Sequence, residues 1–159
     1  MNIVSQIEYH QLKQFEDKIG GNVKVGGYKM DTLCPIEEGL CYQIKLQEND
    51  TNRLFLLNEP TFTSFTRDKN YRLSDIIDDV KNSDRVKYWL DKEFDLRLSP
   101  EWSPIFVCPE TNVGTIVTID GNHRLTAHFH RHKTIEGLPG YLFVHQNIQK
   151  WCYIPNGAR

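Results

Sequence analysis

The spacing of apolar residues along the chain predicts an alternation of short strands and amphipathic helices. Runs of β-branched or alternating apolar residues, which are typical of strands, lie at Val23–Met30, Leu40–Leu46, Arg53–Leu57, Ile105–Cys108, Thr115–Ile119 and Tyr141–Val144. Apolar residues three and four positions apart predict helices at Ser5–Gly21, from Ser74 onward, at Asp84–Phe94 and at His123–Lys133. We therefore expect one α+β (mixed α/β) domain over residues 1–159, with an N-terminal helix and a β-meander in its first half.

Polar residues mark the starts of these helices. Ser5 and Glu8 have the spacing of a capping box, and the glycines at positions 20 and 21 end the first helix. Ser74 is placed to cap the second helix, which Asn82–Ser83 interrupts. Three aspartates near the start of that helix, where its dipole favours carboxylates, are expected to face water rather than to bind a metal: Asp75, Asp78 and Asp79.

Composition and charge narrow the class of protein. The chain has 39% hydrophobic residues and a net charge of −2, so a broad basic face for duplex DNA is not expected. A mean hydropathy of −0.53 and the absence of a long apolar run argue against a membrane span. The first residues show no basic segment followed by an apolar one, so we expect a reducing, cytoplasmic location. The four cysteines form no C-x-x-C pair and are expected to be free, mostly buried thiols: Cys34, Cys41, Cys108 and Cys152.

The stretch Gly114–Val144 predicts a site as well as a structure. A buried strand runs into the polar turn Asp120–Asn122, a helix begins at about His123, and the glycines and proline at 137–140 stop it before the next strand. The first amides of a helix lack partners within the helix and lie at its positive end, so they favour anions. The side chains of His123 and Arg124 add hydrogen-bond donors that are expected to be positively charged. The predicted ligand is a phosphate.

This stretch resembles the ParB/sulfiredoxin-like superfamily. Asp120–Arg124, followed by the small residue Ala127, is similar to the DG-x-HR signature of that superfamily. Ser103–Val107 resembles the strand that precedes the signature, and Gly137–Val144 resembles the segment that follows it. The resemblance covers about residues 71–145, and only the pentapeptide is specific.

The resemblance implies a nucleotide site. Members include chromosome-partitioning CTPases, sulfinic-acid reductases and small-molecule kinases, and their turn and helix start hold nucleotide phosphates. The implied cofactor is therefore ATP, ADP or CTP, with Mg²⁺ as a helper. Asn122 stands where sulfiredoxins have their catalytic cysteine, so that chemistry is not expected. The chain ends soon after His145, so the helix-turn-helix domain of partitioning proteins is not expected either.

Individual roles within the motif follow from residue chemistry and from the resemblance. Gly121–Arg124 are expected to hold phosphates, and His123, Arg124 and Asp120 are the catalytic candidates. Asp120 could hold Mg²⁺, but we expect it to cap the helix. Asn122 either donates its amide to the ligand or fixes the turn. His128, one turn after Arg124, is expected to line the same pocket.

A group of histidines in the same helix raises the question of a metal. His128 and His132 have the i, i+4 spacing of a zinc pair, with His130 between them. The glutamate of an H-E-x-x-H motif is absent, and no third ligand is evident nearby in the sequence. We therefore predict no metal site and expect these histidines to form an exposed, basic helix face.

Two main classes of function remain open. The first is a small nucleotide- or phosphate-binding protein, either a phosphotransferase or an NTPase, whose base would come from Glu37, Glu38 or Glu59. The alternative is a non-catalytic protein-interaction module of the immunity, anti-toxin or phage-regulatory type. Its anchors would be the aromatic residues Trp102, Trp151 and Tyr153. The tail at 148–154 would add an edge strand or a closing flap. A ParB-like nuclease is the weakest reading, since the acidic balance disfavours nucleic acid, and no membrane partner is expected.

Overall fold

The core of the protein is a mixed six-stranded sheet with helices on one face. The computed structural model describes residues 1–8, 34–35, 38–58, 62, 71–92, 94–110, 114–151, 154–155 and 158. Within them, the strands are β1 (Asn2–Ile7), β2 (Leu40–Lys45), β3 (Leu54–Leu56), β4 (Ile105–Cys108), β5 (Ile116–Asp120) and β6 (Pro139–Val144). The α-helices are α1 (Leu73–Val80), α2 (Asp84–Asp91) and α3 (Asn122–His132). The expected mixed α+β class is confirmed.

The order of strands across the sheet is β1-β2-β6-β4-β5-β3. β1, β2 and β6 are antiparallel neighbours, β6 and β4 are parallel, β4 and β5 are antiparallel, and β5 and β3 are parallel. β4 and β5 are interior strands and are buried on both faces, as the apolar and β-branched runs of their sequences predict.

Alternate residues of the same strand enter two different cores. Phe106 and Cys108 point to the face that α1, α2 and α3 cover. Ile105 and Val107 point to the other face, where the C-terminal residues Ile148, Trp151 and Ile154 pack. This is the period-two alternation of a strand, so the sheet forms a middle layer between the helices and the C-terminal segment.

The predicted N-terminal helix is wrong at its start. Residues Asn2–Ile7 form β1, so the chain is extended at Ser5 and the capping box with Glu8 does not form there. β1 is an edge strand held by antiparallel pairing with β2, in which Ser5 lies opposite Gln43. Pairing with a neighbouring strand outweighs the local helical signal in this segment. Most of the remainder of the predicted helix, and the strand predicted at Val23–Met30, lie outside the described residues.

The predicted β-meander is also wrong for the strands that the structure describes. β2 pairs with β1 and β6, whereas β3 lies at the opposite edge beside β5. The polar segment between β2 and β3 is a 3₁₀ helix, Glu48–Arg53, rather than a hairpin turn. It carries the chain away from β2, so the two strands cannot pair as neighbours.

Two predicted helix boundaries need correction. Arg72 is the N-cap residue of α1, and the Ser74 hydroxyl instead donates to Asp75. α3 ends before the glycines at 137 and 140, because Lys133 takes a left-handed conformation with φ of 59°. In both cases the helix boundary lies within a few residues of the expected position.

The C-terminal segment closes the sheet without adding a strand to the described part of it. Gln146–Lys150 form a 3₁₀ helix, and Trp151 is fully buried. Trp151 therefore cannot act as an exposed anchor, and Tyr153 lies outside the described residues. Three of the four cysteines are confirmed as free, buried thiols, Cys34, Cys41 and Cys108, while Cys152 is not described. None of the described helices has both the length and the apolar content that crossing a membrane requires.

Gly140 in β6 leaves room for the ring of Phe106, which lies on the neighbouring strand β4. A Cβ at this position would lie 2.5 Å from Cε2 of Phe106, whose ring is fully buried. We expect Gly140→Ala to lower the free energy of unfolding by about 1–3 kcal/mol, measured by urea denaturation. Phe106→Leu in the same chain should make room, so the double variant should lose less than the sum of the two single losses. Strictly additive losses would show that the contact is not the cause.

Candidate functional site

The turn between β5 and α3 is built around Gly121. Its φ of 87° is left-handed, and a Cβ there would lie 3.2 Å from Pro104 and from a guanidinium nitrogen of Arg124. Gly121 is also the N-cap residue, so the first turn of α3 has no N-cap side chain. The carbonyl of Gly121 accepts from the Leu125 amide at 2.8 Å, which begins the helix one residue before the expected start.

Asn122 fixes this turn to the sheet. Its side chain is buried, and its Oδ1 accepts a hydrogen bond from the amide of Leu57 at 3.1 Å, just beyond the end of β3. Its carbonyl accepts from the hydroxyl of Thr126 at 2.7 Å. Of the two roles considered from the sequence, these contacts support fixing the turn.

Asp120 lies directly before the N-cap residue Gly121 and pairs with Arg124. It is the last residue of β5, and its Oδ2 accepts from Nη2 of Arg124 at 3.0 Å. The guanidinium is further enclosed by the rings of Trp89 and Trp102, whose centroids lie 5.8 and 5.4 Å from Cζ. The Arg124 side chain is only 13% exposed, so it is held in one orientation with part of its charge already compensated.

His123 is not the cation that the sequence suggested. Burial, with smaller contributions from the charges of Arg85 and Arg124, lowers the pKa of His123 to about 4. The imidazole is therefore neutral at pH 7, and its ring lies 4.9 Å from that of Phe62. A neutral imidazole can still donate or accept a hydrogen bond, but it adds no positive charge to the turn.

A cavity of about 510 Å³ opens at this turn. The start of α3 and the end of β5 form one wall, and α2 forms the other. The lining residues are Asp84, Arg85, Tyr88, Trp89, Asp120, Gly121, His123 and Arg124. The corner is therefore open to a ligand, and it combines two guanidinium groups, two carboxylates and two aromatic rings.

His128 lies elsewhere and is not among the described residues that line this cavity. It is 2% exposed, and its ring centroid lies 4.4 Å from that of His132. Burial lowers the pKa of His128 to about 4, and hydrogen bonds from Arg97 lower the pKa of the neighbouring Asp95 to about 2. The expected exposed, basic face is thus wrong at His128, which is neutral and enclosed.

The remaining candidates contribute little to the cavity. Glu38 lies with its Oε2 3.7 Å from Nε2 of His145, and Glu37 and Glu59 are outside the described residues. Asp78 of the acidic group in α1 is exposed and pairs with Lys81 at 3.1 Å, as a solvated face predicts. No predicted glutamate base is among the described lining residues.

Sequence reasoning missed the α2 side of the cavity. Arg85, Tyr88 and Trp89 line it, although α2 was assigned only a packing stripe. The available signal was the polar face of that helix, where Arg85 and Tyr88 fall three positions apart and therefore on the same side.

Asn122 offers a direct test of how the turn is held. In Asn122→Ala the Leu57 amide would remain buried without its partner, so we expect the free energy of unfolding to fall by about 1–3 kcal/mol. Urea denaturation measures the loss, and Asn52→Ala, at an exposed position, should change stability by less than about 0.5 kcal/mol. Equal stabilities of Asn122→Ala and the wild type would mean that this bond does not hold the turn.

The chain was also compared with known proteins. No protein-family model, no curated protein and no solved structure matches it.

Proposed function

We propose that the cavity between α2 and the start of α3 binds a nucleotide or another phosphorylated small molecule. The observation that carries the proposal is the cavity of about 510 Å³ at an α-helix start, with Arg85 and Arg124 in its lining. Its volume falls in the range of small-molecule sites. The end of β5, the glycine turn and the helix start together supply the anion-binding geometry.

The two arginines of the lining have different roles in the proposed binding of phosphate. Arg85 is exposed and forms no ion pair with the described residues, so its guanidinium can meet phosphate oxygens. Arg124 is paired with Asp120, but its buried Nε has no hydrogen-bond partner among the described residues. Arg85 therefore supplies most of the attraction, and Arg124 positions the turn and contributes at short range.

The aromatic residues suit the base of a nucleotide. Tyr88 is 52% exposed at the cavity, and the rings of Tyr88 and Trp89 pack edge to face with centroids 5.4 Å apart. An exposed aromatic face can stack on a nucleobase of any identity. The carboxylates of Asp84 and Asp120 are the groups that would hold Mg²⁺ beside the phosphates.

We extend the proposal to the fold of the C-terminal part. The succession of α1, α2, β4, β5, α3 and β6 between residues 71 and 145 supports a ParB/sulfiredoxin-like core. A phosphotransferase or NTPase activity needs a proton acceptor in addition to binding, and neutral His123 is the candidate in the lining. Because Arg124 is paired with Asp120, a purely catalytic role for this arginine is disfavoured. The proposal therefore concerns binding first and catalysis second.

A protein-interaction module is the second candidate, and one observation favours it. Leu98 and Trp102 are 81% and 44% exposed, which is unusual for large apolar side chains. A thermal-shift panel of ATP, ADP, CTP and GTP with Mg²⁺ separates the two candidates, because a ligand that binds only the folded state raises Tm. No shift with any of the four would favour the interaction module.

Removing either arginine of the cavity should weaken binding. We expect Arg124→Ala and Arg85→Ala each to cost about 1.5–3 kcal/mol of nucleotide affinity, measured by calorimetry, because each loses a charged hydrogen bond to phosphate. Lys87→Ala removes the same charge from α2 outside the lining and should bind as the wild type does. Wild-type affinity in Arg85→Ala and Arg124→Ala would overturn the proposed site.

Asp120 allows the role of Mg²⁺ to be separated from that of the arginines. In Asp120→Asn we expect nucleotide without Mg²⁺ to bind about three- to tenfold tighter, because a nearby negative charge is lost and Arg124 is released. The additional affinity that Mg²⁺ gives the wild type should be lost. Asp78→Asn, on the exposed face of α1, is the matched control. Weaker binding of Asp120→Asn both with and without Mg²⁺ would contradict this assignment.

A further inference from the structure

We propose that Asp95, His128 and His132 form a binding site for a divalent transition-metal ion, with Zn²⁺ as the best match. One ligand atom from each of the three residues lies within 4.8 Å of those of the other two. Two imidazoles and one carboxylate are a donor set that suits Zn²⁺ and its neighbours in the first transition row. The site is separate from the nucleotide cavity and does not depend on the function proposed for it.

The two histidines come from one face of α3. They are four residues apart, and their ring centroids are 4.4 Å apart. This is the helical spacing that places two imidazoles on one metal ion in zinc enzymes. The third ligand comes from the loop after α2, where Asp95 caps the 3₁₀ turn Leu96–Leu98 by accepting from the Arg97 amide. The loop and the helix are brought together only by the fold.

The hydrogen-bonding state of His128 provides an independent observation. Its side chain is 1% exposed, and neither ring nitrogen has a hydrogen-bond partner among the described residues. Nδ1 lies 3.8 Å from Oδ1 of Asp95, which is too long for a hydrogen bond. Within the described part of the chain, Nε2 of His132 is also buried without a hydrogen-bond partner. Buried polar groups without partners are costly, and a shared metal ion would satisfy both rings.

The observed spacing is slightly wider than that of a metal-bound site. Donor atoms about 2.0–2.1 Å from a tetrahedral ion lie about 3.3 Å from one another. Side-chain movements of the order of ~1 Å would bring the three donor atoms to the spacing that a bound ion requires. Asp95 is on a loop, and its carboxylate is 26% exposed, so this residue has the freedom to move toward the two rings.

Arg97 is the main competitor and also an orienting group. Its Nε and Nη2 donate to Oδ1 and Oδ2 of Asp95 at 3.1 and 2.9 Å. A carboxylate oxygen can accept such a bond and still bind a metal, and outer partners of this kind orient metal ligands. The cationic charge of Arg97 opposes a second cation, so we expect a weaker site than one with only neutral neighbours.

The site has room for a further ligand. Asp95 and His132 also line a second cavity, of about 560 Å³, together with Leu90, Phe94 and Leu98. Three protein ligands next to open space are the arrangement that leaves a coordination position for water or a small molecule. The expected occupant of that position is water in the resting protein.

The test is a metal titration of chelator-treated protein. We expect the wild type to bind one Zn²⁺ per chain in calorimetry, and Co²⁺ to give the visible absorption of a low-coordinate site. His132→Ala and Asp95→Asn should each weaken Zn²⁺ binding more than about tenfold. Both residues are partly exposed, so these variants should fold, which unfolding curves will check; His128→Ala would instead open a hole in the core.

The control is His130→Ala, which removes a neighbouring histidine of the same helix that lies outside the group of three. It should bind Zn²⁺ as the wild type does. The proposal is overturned if the wild type binds no metal. It is equally overturned if His130→Ala loses as much affinity as His132→Ala, because binding would then come from scattered surface histidines.

Discussion

The left-handed conformation of Gly121 is the constraint on which both proposed sites depend. Gly121 turns the chain from β5 into α3 close to Pro104. A side chain at this position would contact both Pro104 and Arg124. Because the helix starts directly after it, the direction of α3 is set by this one turn. That direction brings His123 and Arg124 to the first cavity and His128 and His132 to Asp95.

The electrostatics of the turn are a compromise between stability and binding. A partly buried guanidinium needs a partner, and Asp120 provides it at 3.0 Å. The same pairing removes part of the charge that would attract a phosphate. Burial keeps His123 neutral, so in the proposed site the attraction for a phosphate would come mainly from Arg85 on the neighbouring helix. Such a site would be assembled by two helices, and the motif alone would supply only half of it.

The sequence predicted what depends on local patterns. β4, β5, α3 and β6 were found because long apolar runs, helical spacing and a glycine turn are local signals. The helix at Ser5 was wrong because pairing between β1 and β2 joins residues about forty positions apart, and no local pattern records such pairing. Asp95 was missed for the same reason, since only tertiary packing brings it to His128 and His132. The ion pair of Asp120 with Arg124 was not assigned, although the i, i+4 relation of the two residues was visible in the sequence.

The two proposed sites share the interface between α2 and α3, and one arginine makes several hydrogen bonds across it. Arg131 near the end of α3 donates to the carbonyls of Leu90, Lys92 and Phe94, which end α2 and begin the loop to Asp95. The last carbonyls of a helix lack partners within it, so a guanidinium is a favourable cap for the end of α2. Residues between positions 84 and 89 of α2 line the first cavity, and the loop after the helix carries Asp95. The Arg131 contacts therefore help to fix the positions of Arg85 and Asp95 relative to α3, so that one short helix can contribute to both proposed sites.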